Sequence, residues 1–176
     1  SISELESVKF KALGENVYIS RFARFYNTGN IEIGNNVRID DFCILSGEIK
    51  LGNNIHISAY SALYGRFGIE MEDNTGLSPR CTLFSASDDF SGNYLIGPQF
   101  NSRLTNVSGG KILIRKYSQL GSNCIVFPGV TINEGVAVGA MSLVLKDLEA
   151  WKIYKGIPAK YLKDRDKALL KLLNNG

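Results

Sequence analysis

The run Ile33-Gly34-Asn35-Asn36-Val37-Arg38-Ile39-Asp40-Asp41-Phe42-Cys43-Ile44-Leu45 sets an aliphatic residue at every sixth position: Ile33, Ile39 and Leu45. The spacing continues outward in both directions. Upstream it passes through Leu13, Ile19 and Phe25. Downstream it takes in Leu51, Ile57 and Leu63, then Met71, Leu77 and Leu83, and finally Ile114, Leu120, Val126, Ile132, Val138 and Val144. Eighteen residues share this lattice, with two-residue slips before Ile33 and before Met71 and one long interruption after Leu83. A period of six is neither the 3.6 of a helix nor the alternation of an ordinary strand. It is the pattern of a parallel β-helix built from hexapeptides, in which three hexads make one triangular coil.

The residue four places after each lattice position is usually small, as at Val17, Ala23, Gly29, Cys43, Ser61, Thr75, Cys81, Ser118, Cys124 and Ser142. Corners recur as Gly14-Glu15-Asn16, Gly34-Asn35-Asn36, Gly52-Asn53-Asn54 and Gly121-Ser122-Asn123, using residues that tolerate positive φ. The lattice predicts about six coils and, at roughly 4.8 Å per coil, a prism about 29 Å tall.

The 176 residues suit one domain: a β-helix over 1–162, carrying an excursion at 84–111, followed by a helical extension at 163–176. Residues 1–12 lead in as a short helix over the first coil. The stretch 163–174 reads as a C-terminal helix stopped by Asn174-Asn175-Gly176. A net charge of +3 gives no case for nucleic acid. Lysines do crowd the C-terminal stretch, either as a solvated face or as a phosphate-binding rim. No apolar run is long enough to insert in a membrane and no leader is visible, so the expected location is the cytoplasm. All three cysteines occupy the small inward slot, which is a packing role. Asn106-Val107-Ser108 fits a glycosylation sequon that carries no weight without a secretion signal.

Two later stretches carry a family resemblance. Gly121-Ser122-Asn123-Cys124-Ile125-Val126-Phe127-Pro128-Gly129-Val130-Thr131-Ile132 and Val138-Gly139-Ala140-Met141-Ser142-Leu143-Val144-Leu145-Lys146-Asp147 resemble the last coils of hexapeptide-repeat acyltransferases. Tyr154-Lys155-Gly156-Ile157-Pro158-Ala159-Lys160 is similar to their closing G-x-P-A-[KR] signature. The resemblance runs from Leu13 to Arg165. It is nearest to sugar acetyltransferases of the galactoside and maltose group and to enzymes that acylate nucleotide-linked 4-amino-4,6-dideoxy sugars.

The resemblance implies a left-handed prism and a homotrimer with acetyl-CoA in a groove between subunits. No metal is implied. It places Gly121, Ser122, Gly139, Ala140 and Ser142 along the pantetheine arm, and Lys146, Lys160 and Lys163 near the phosphates, which a lysine can meet as a point charge. The same glycines and serines also suit corner turns.

One departure from the family pattern is informative. O-acetyltransferases of this type carry a catalytic His in a motif like T-x-T-x-H. The matching run here is Leu83-Phe84-Ser85-Ala86-Ser87-Asp88, which puts Asp88 in that place. The chain has one histidine, His56, and Gln119 replaces a family Trp. A sugar hydroxyl needs a base tuned near neutrality, and an ordinary Asp, with pKa about 3.9, is a poor one. A sugar amine of pKa near 8 is already roughly one-tenth neutral at pH 7 and needs positioning more than deprotonation. Asp88 therefore points to N-acylation of an amino sugar for surface polysaccharide. Asp89 is a weaker substitute.

Counting hexads puts His56 and Asp88 on different corners, so they can meet only across a subunit boundary. His56 shares its corner with Ser58, and Ser78 stacks one coil above Ser58. This corner, facing Asp88 of a neighbouring subunit, is the candidate acceptor site, with His56 and Asp88 as catalytic candidates. The bland readings are a solvated histidine and a turn-capping Asp. Tyr94 and Arg103 of the excursion are candidate sugar or phosphate contacts, and a backbone N–H should stabilise the oxyanion. O-acylation of a glycoside hydroxyl and a non-catalytic β-helix scaffold stay open as alternatives. A zinc hydratase, which needs three histidines, does not.

Overall fold

A computed structural model describes residues 9–173. The chain winds into a parallel β-solenoid. One of its faces carries seven parallel rungs, from Tyr18–Ile19 to Lys152–Lys155. This is about one coil more than the lattice predicts. The lattice ends at Val144, yet Leu148 bridges Ile132 and Tyr154 pairs with Val138. One shortened repeat, four residues instead of six, hides the last coil from a strict six-residue count.

Lattice residues stack on their equivalents throughout: Leu13 on Ile33, Ile39 on Ile57, Leu63 on Leu83, Met71 on Ile114, Val126 on Val144. From Ile33 to Val144 each is at most 3% exposed. Burying an aliphatic side chain of this size is worth about 1.5–3 kcal/mol, so the column is the main stabilising feature. The small slot is buried as well. Cys43, Cys81 and Cys124 are free thiols in it. The adjacent Cys124 sulfur, with burial, pushes the Cys81 thiol well above its ordinary value.

The corner residues divide their work differently from the sequence expectation. Asn16, Asn36, Asn54, Asn74 and Asn123 carry the positive φ, while the preceding Gly14, Gly34 and Gly52 do not. Those glycines serve close stacking instead: a Cβ on Gly34 would lie 2.4 Å from the Gly52 carbonyl oxygen. The asparagines form a ladder, with Asn16, Asn36 and Asn54 each donating to the next side chain at 3.0–3.1 Å.

All breaks in the six-residue rhythm fall at one corner. The slips follow Phe25 and Leu63, the excursion follows Leu83, and the shortened repeat follows Val144. These four lattice residues stack in one column, so the other two corners stay regular. Solenoids that concentrate insertions on one side commonly bind there.

Among the described residues, the helix expected over 163–174 is found at Leu169–Leu173. Lys160–Asp164 instead folds back as a strand antiparallel to Lys152–Lys155, with Tyr154 against Tyr161 in an edge-to-face pair. The strand satisfies the edge of the final rung, which a helix could not do. The expected lead-in helix over 1–12 falls mostly on residues outside those described, as does the Asn174-Asn175-Gly176 stop. Ala12–Leu13 is already the first strand. Among the described residues no helix is long and apolar enough to cross a membrane.

Candidate active site

The excursion is built on a hairpin. Ala86–Asp88 pairs antiparallel with Val107–Gly109, which sets Asp88 opposite Val107. Its base is clamped by Ser85, which is fully buried. The Ser85 hydroxyl accepts from the Phe67 amide at 2.8 Å and donates to the Tyr64 carbonyl at 3.2 Å. Gly109 must be a glycine there, because a Cβ would stand 2.2 Å from the Ser85 carbonyl oxygen.

Between the hairpin and the prism lies a cavity of about 750 Å³. Phe84 and Phe127, with ring centroids 4.8 Å apart, line it on the prism side. Phe90 and Phe100 line it on the excursion side, and Asp88 and Ser87 supply polar groups. Tyr94 and Arg103 do not line this cavity; both are on the exposed side of the excursion. The sequence reading did not select Phe84, Phe90, Phe100, Phe127 or Arg66. The only signal for Arg66 was the two-residue slip in which it sits.

His56 lies on another face, on the strand Ile55–Ile57. Its Nε2 donates to the Asp40 carboxylate at 2.7 Å, which leaves Nδ1 as the free nitrogen. Arg38 donates to the other Asp40 oxygen at 2.7 Å. Burial opposes ionisation of Asp40, but the hydrogen bonds from Arg38 and His56 outweigh it and hold its carboxyl below the usual range.

The remaining candidates fall on two structures. Ser58, Ser78, Gly121 and Gly139 form one corner column, each amide bonding to the rung above: Ser58 to Leu77, Ser78 to Leu120, Gly121 to Val138, Gly139 to Tyr154. Ser122 and Ala140 follow in the same column, and the Met141 amide donates to the Ser122 carbonyl at 2.8 Å. Gly121 has a structural requirement here, since a Cβ would be 2.6 Å from the Ala140 nitrogen. Ser142 is buried and its hydroxyl is used internally, donating to the Gly139 carbonyl and accepting from the Gly156 amide. Lys146 is exposed beyond the last regular coil, and Lys160 and Lys163 are exposed on the terminal strand.

Within one chain, then, the serines and glycines share one corner and Asp88 stands on another. No hydrogen bond links His56 to Asp88. Among the described residues no three His, Cys, Asp or Glu side chains converge as a metal site would require.

The chain is 43% identical, over 96% of its length, to a dTDP-4-amino-4,6-dideoxy-D-glucose acyltransferase of Escherichia coli, and covers 90% of that protein. It superposes with a TM-score of 0.96 and 49% identity on AntD, an N-acyltransferase from Bacillus cereus solved with dTDP and 3-hydroxybutyryl-CoA. That match covers 99% of this chain and 94% of AntD. AntD has also been solved as variants altered at one serine and, ten residues further on, at one aspartate. A maltose O-acetyltransferase from Clostridium difficile 630 shares the fold, with a TM-score of 0.62 at 22% identity over 94% of this chain and 75% of that one. No protein-family model matches.

Proposed function

Starting from a chain that belongs to the dTDP-4-amino-4,6-dideoxy-D-glucose acyltransferase family, we propose that it transfers an acetyl group from acetyl-CoA to the amine of a dTDP-linked 4-amino-4,6-dideoxy sugar. The observation that carries this reading is the setting of Asp88. It opens into a cavity with aromatic walls that contains no histidine, while the single histidine is held by Asp40 on a different face.

In this reading the neutral amine attacks the thioester carbonyl, the C–S bond breaks as the C–N bond is completed, and the CoA thiolate leaves. Asp88 accepts hydrogen bonds from the amine, fixes its lone pair on the carbonyl carbon and attracts the ammonium form on binding. The surplus proton ends on the departing thiolate. Positioning of this kind replaces a large part of the entropic barrier, and a backbone N–H of the last coils stabilises the oxyanion.

Ser78 supports the same site. Ser78 and Asp88 are the only serine and aspartate in this chain separated by ten residues in that order, the spacing of the two positions varied in AntD. Ser78 also sits directly beneath Gly121, where the acceptor end of the corner column meets the pantetheine end. Gly121, Ser122, Gly139 and Ala140 line the pantetheine, with the Ser142 hydroxyl holding the corner behind them. Lys146, Lys160 and Lys163 form the phosphate rim. A homotrimer sets this column of one subunit against Asp88 and the excursion of the next, with Tyr94 and Arg103 facing that neighbour. His56 is a bystander to N-acylation. The product belongs to surface polysaccharide assembly in the cytoplasm.

The test is free-thiol release from acetyl-CoA, with dTDP-4-amino-4,6-dideoxyglucose set against its 4-hydroxyl counterpart and simple glycosides. Release with the amine alone is expected. Release with hydroxyl acceptors alone would overturn N-acylation and return the role of base to His56 or Asp88.

A further inference from the structure

The corner that collects every break in the lattice also carries a second cleft, of about 500 Å³, beside the Asp88 cavity. Asn27 and Asn30 from the first slip line it, with Ser46, Glu48 and Tyr64 from the coils above. The two spaces share Arg66 and Ala86 as their common border. Together they form one groove with an aromatic compartment at Asp88 and a polar compartment towards the first coils.

Arg66 is the unusual residue in this groove. Of the other cations near this corner, Lys11 is matched to Glu32, Lys50 and Lys111 to Glu70 and Arg115 to Glu72, while Arg103 of the excursion and Lys146 of the shortened repeat form no ion pair among the described residues, and neither lines the groove. Among the described residues Arg66 has no such partner. It is nonetheless held in place from both sides. The next amide, Phe67, is tied to the buried Ser85 hydroxyl at 2.8 Å. The residue before it, Gly65, packs so closely that a Cβ would lie 2.4 Å from the Glu48 carbonyl oxygen. The two extra residues of the second slip thus build a rigid bulge that presents an unmatched guanidinium between two compartments.

A planar guanidinium with five donors fits a diphosphate in two-pronged fashion, and it keeps its charge at any physiological pH. We infer that Arg66 binds the diphosphate of a nucleoside diphosphate sugar, with the nucleoside in the Asn27–Asn30–Tyr64 cleft and the sugar in the Asp88 cavity. The order of the compartments matches the order of the ligand: amine at Asp88, diphosphate at the border, nucleoside beyond it. Asn27, Asn30 and Ser46 offer the donors and acceptors that a pyrimidine edge needs. The Tyr64 ring offers a face for the base, and Glu48 accepts from a deoxyribose hydroxyl. The inference rests on the acyltransferase reading and adds to it the residue that selects nucleotide-linked over free sugars.

Calorimetric titration of the full-length protein with dTDP, thymidine and CoA separates the two. Arg66→Ala should weaken dTDP binding about tenfold or more, as expected for loss of charge-assisted hydrogen bonds, while thymidine and CoA bind as to the unaltered protein. Arg66→Lys should fall between them. Asn30→Ala should weaken thymidine and dTDP alike. Equal dTDP affinity in Arg66→Ala and the unaltered protein overturns the inference and leaves the acyltransferase reading standing. Failure of the unaltered protein to bind dTDP, with thiol release on a free amino sugar, overturns the nucleotide part of both.

Discussion

The Ser85 hydroxyl accepts the Phe67 amide at 2.8 Å, and this bond fastens the start of the excursion to the bulge that interrupts the lattice one coil below. Of the charged residues in the proposed groove, Arg66 directly precedes Phe67 and Asp88 follows Ser85 by three residues. Ser85→Ala would leave a Phe67 amide without its partner in a part-buried setting, at a cost of about 1 kcal/mol. A lower melting temperature and a raised KM for the sugar acceptor, with the KM for acetyl-CoA unmoved, are expected in steady-state assays.

Asp88→Asn keeps the shape of the carboxylate and removes its charge. Its kcat/KM for the amine acceptor should fall on the order of a hundredfold, in the range for loss of a positioned polar catalytic group. CoA affinity should stay unchanged. An unaltered rate would take Asp88 out of the site.

His56→Ala removes a side chain that the Asp40 carboxylate already engages. N-acylation should proceed at nearly the original rate in a thiol-release assay with the amine acceptor, and a large loss would return His56 to the catalytic site.

Two glycines give opposite expectations. Gly34→Ala drives a methyl to within 2.4 Å of the Gly52 carbonyl oxygen in the stacked rung, so a loss of at least about 1–3 kcal/mol is expected. Gly29→Ala meets no atom within 4 Å and should be close to neutral. Denaturant midpoints of the two variants provide the check.

Asp40 gives the fold an acid dependence. Its carboxyl is held below the usual range by Arg38 and His56 against the opposing effect of burial. A group whose folded pKa is depressed stabilises fully above its unfolded value, about 3.9, and loses that contribution as pH falls through the folded value. The stability difference between the unaltered protein and Asp40→Asn should therefore be constant near neutrality and shrink in titrations taken below about pH 4.

The sequence by itself determined the solenoid, because each inward position must fill the same slot in every coil. Ile33, Leu51 and Met71 announce their stacking through spacing alone, and the register of the rungs follows from it. It also kept Ser58 and Ser78 in one corner column apart from Asp88, since corner identity is hexad arithmetic, but His56, expected at the corner of Ser58, lies on the strand Ile55–Ile57 instead. The last coil was hidden because Leu148 arrives two residues early, and a strict period cannot anticipate a deletion.

Only the tertiary structure decided what occupies the cavity walls. Phe84 and Phe127 are far apart in sequence and meet because their strands pair directly, with Leu83 against Val126. Arg66 sits in a slip that periodicity alone cannot interpret, and only the bulge puts it between two compartments. The terminal lysines read as a helix face, yet the unpaired edge of the last rung drew Lys160–Asp164 into a strand. Periodicity encodes what repeats. A binding site is made where the repeat is broken, and there the outcome depends on which non-repeating segments the fold brings into contact.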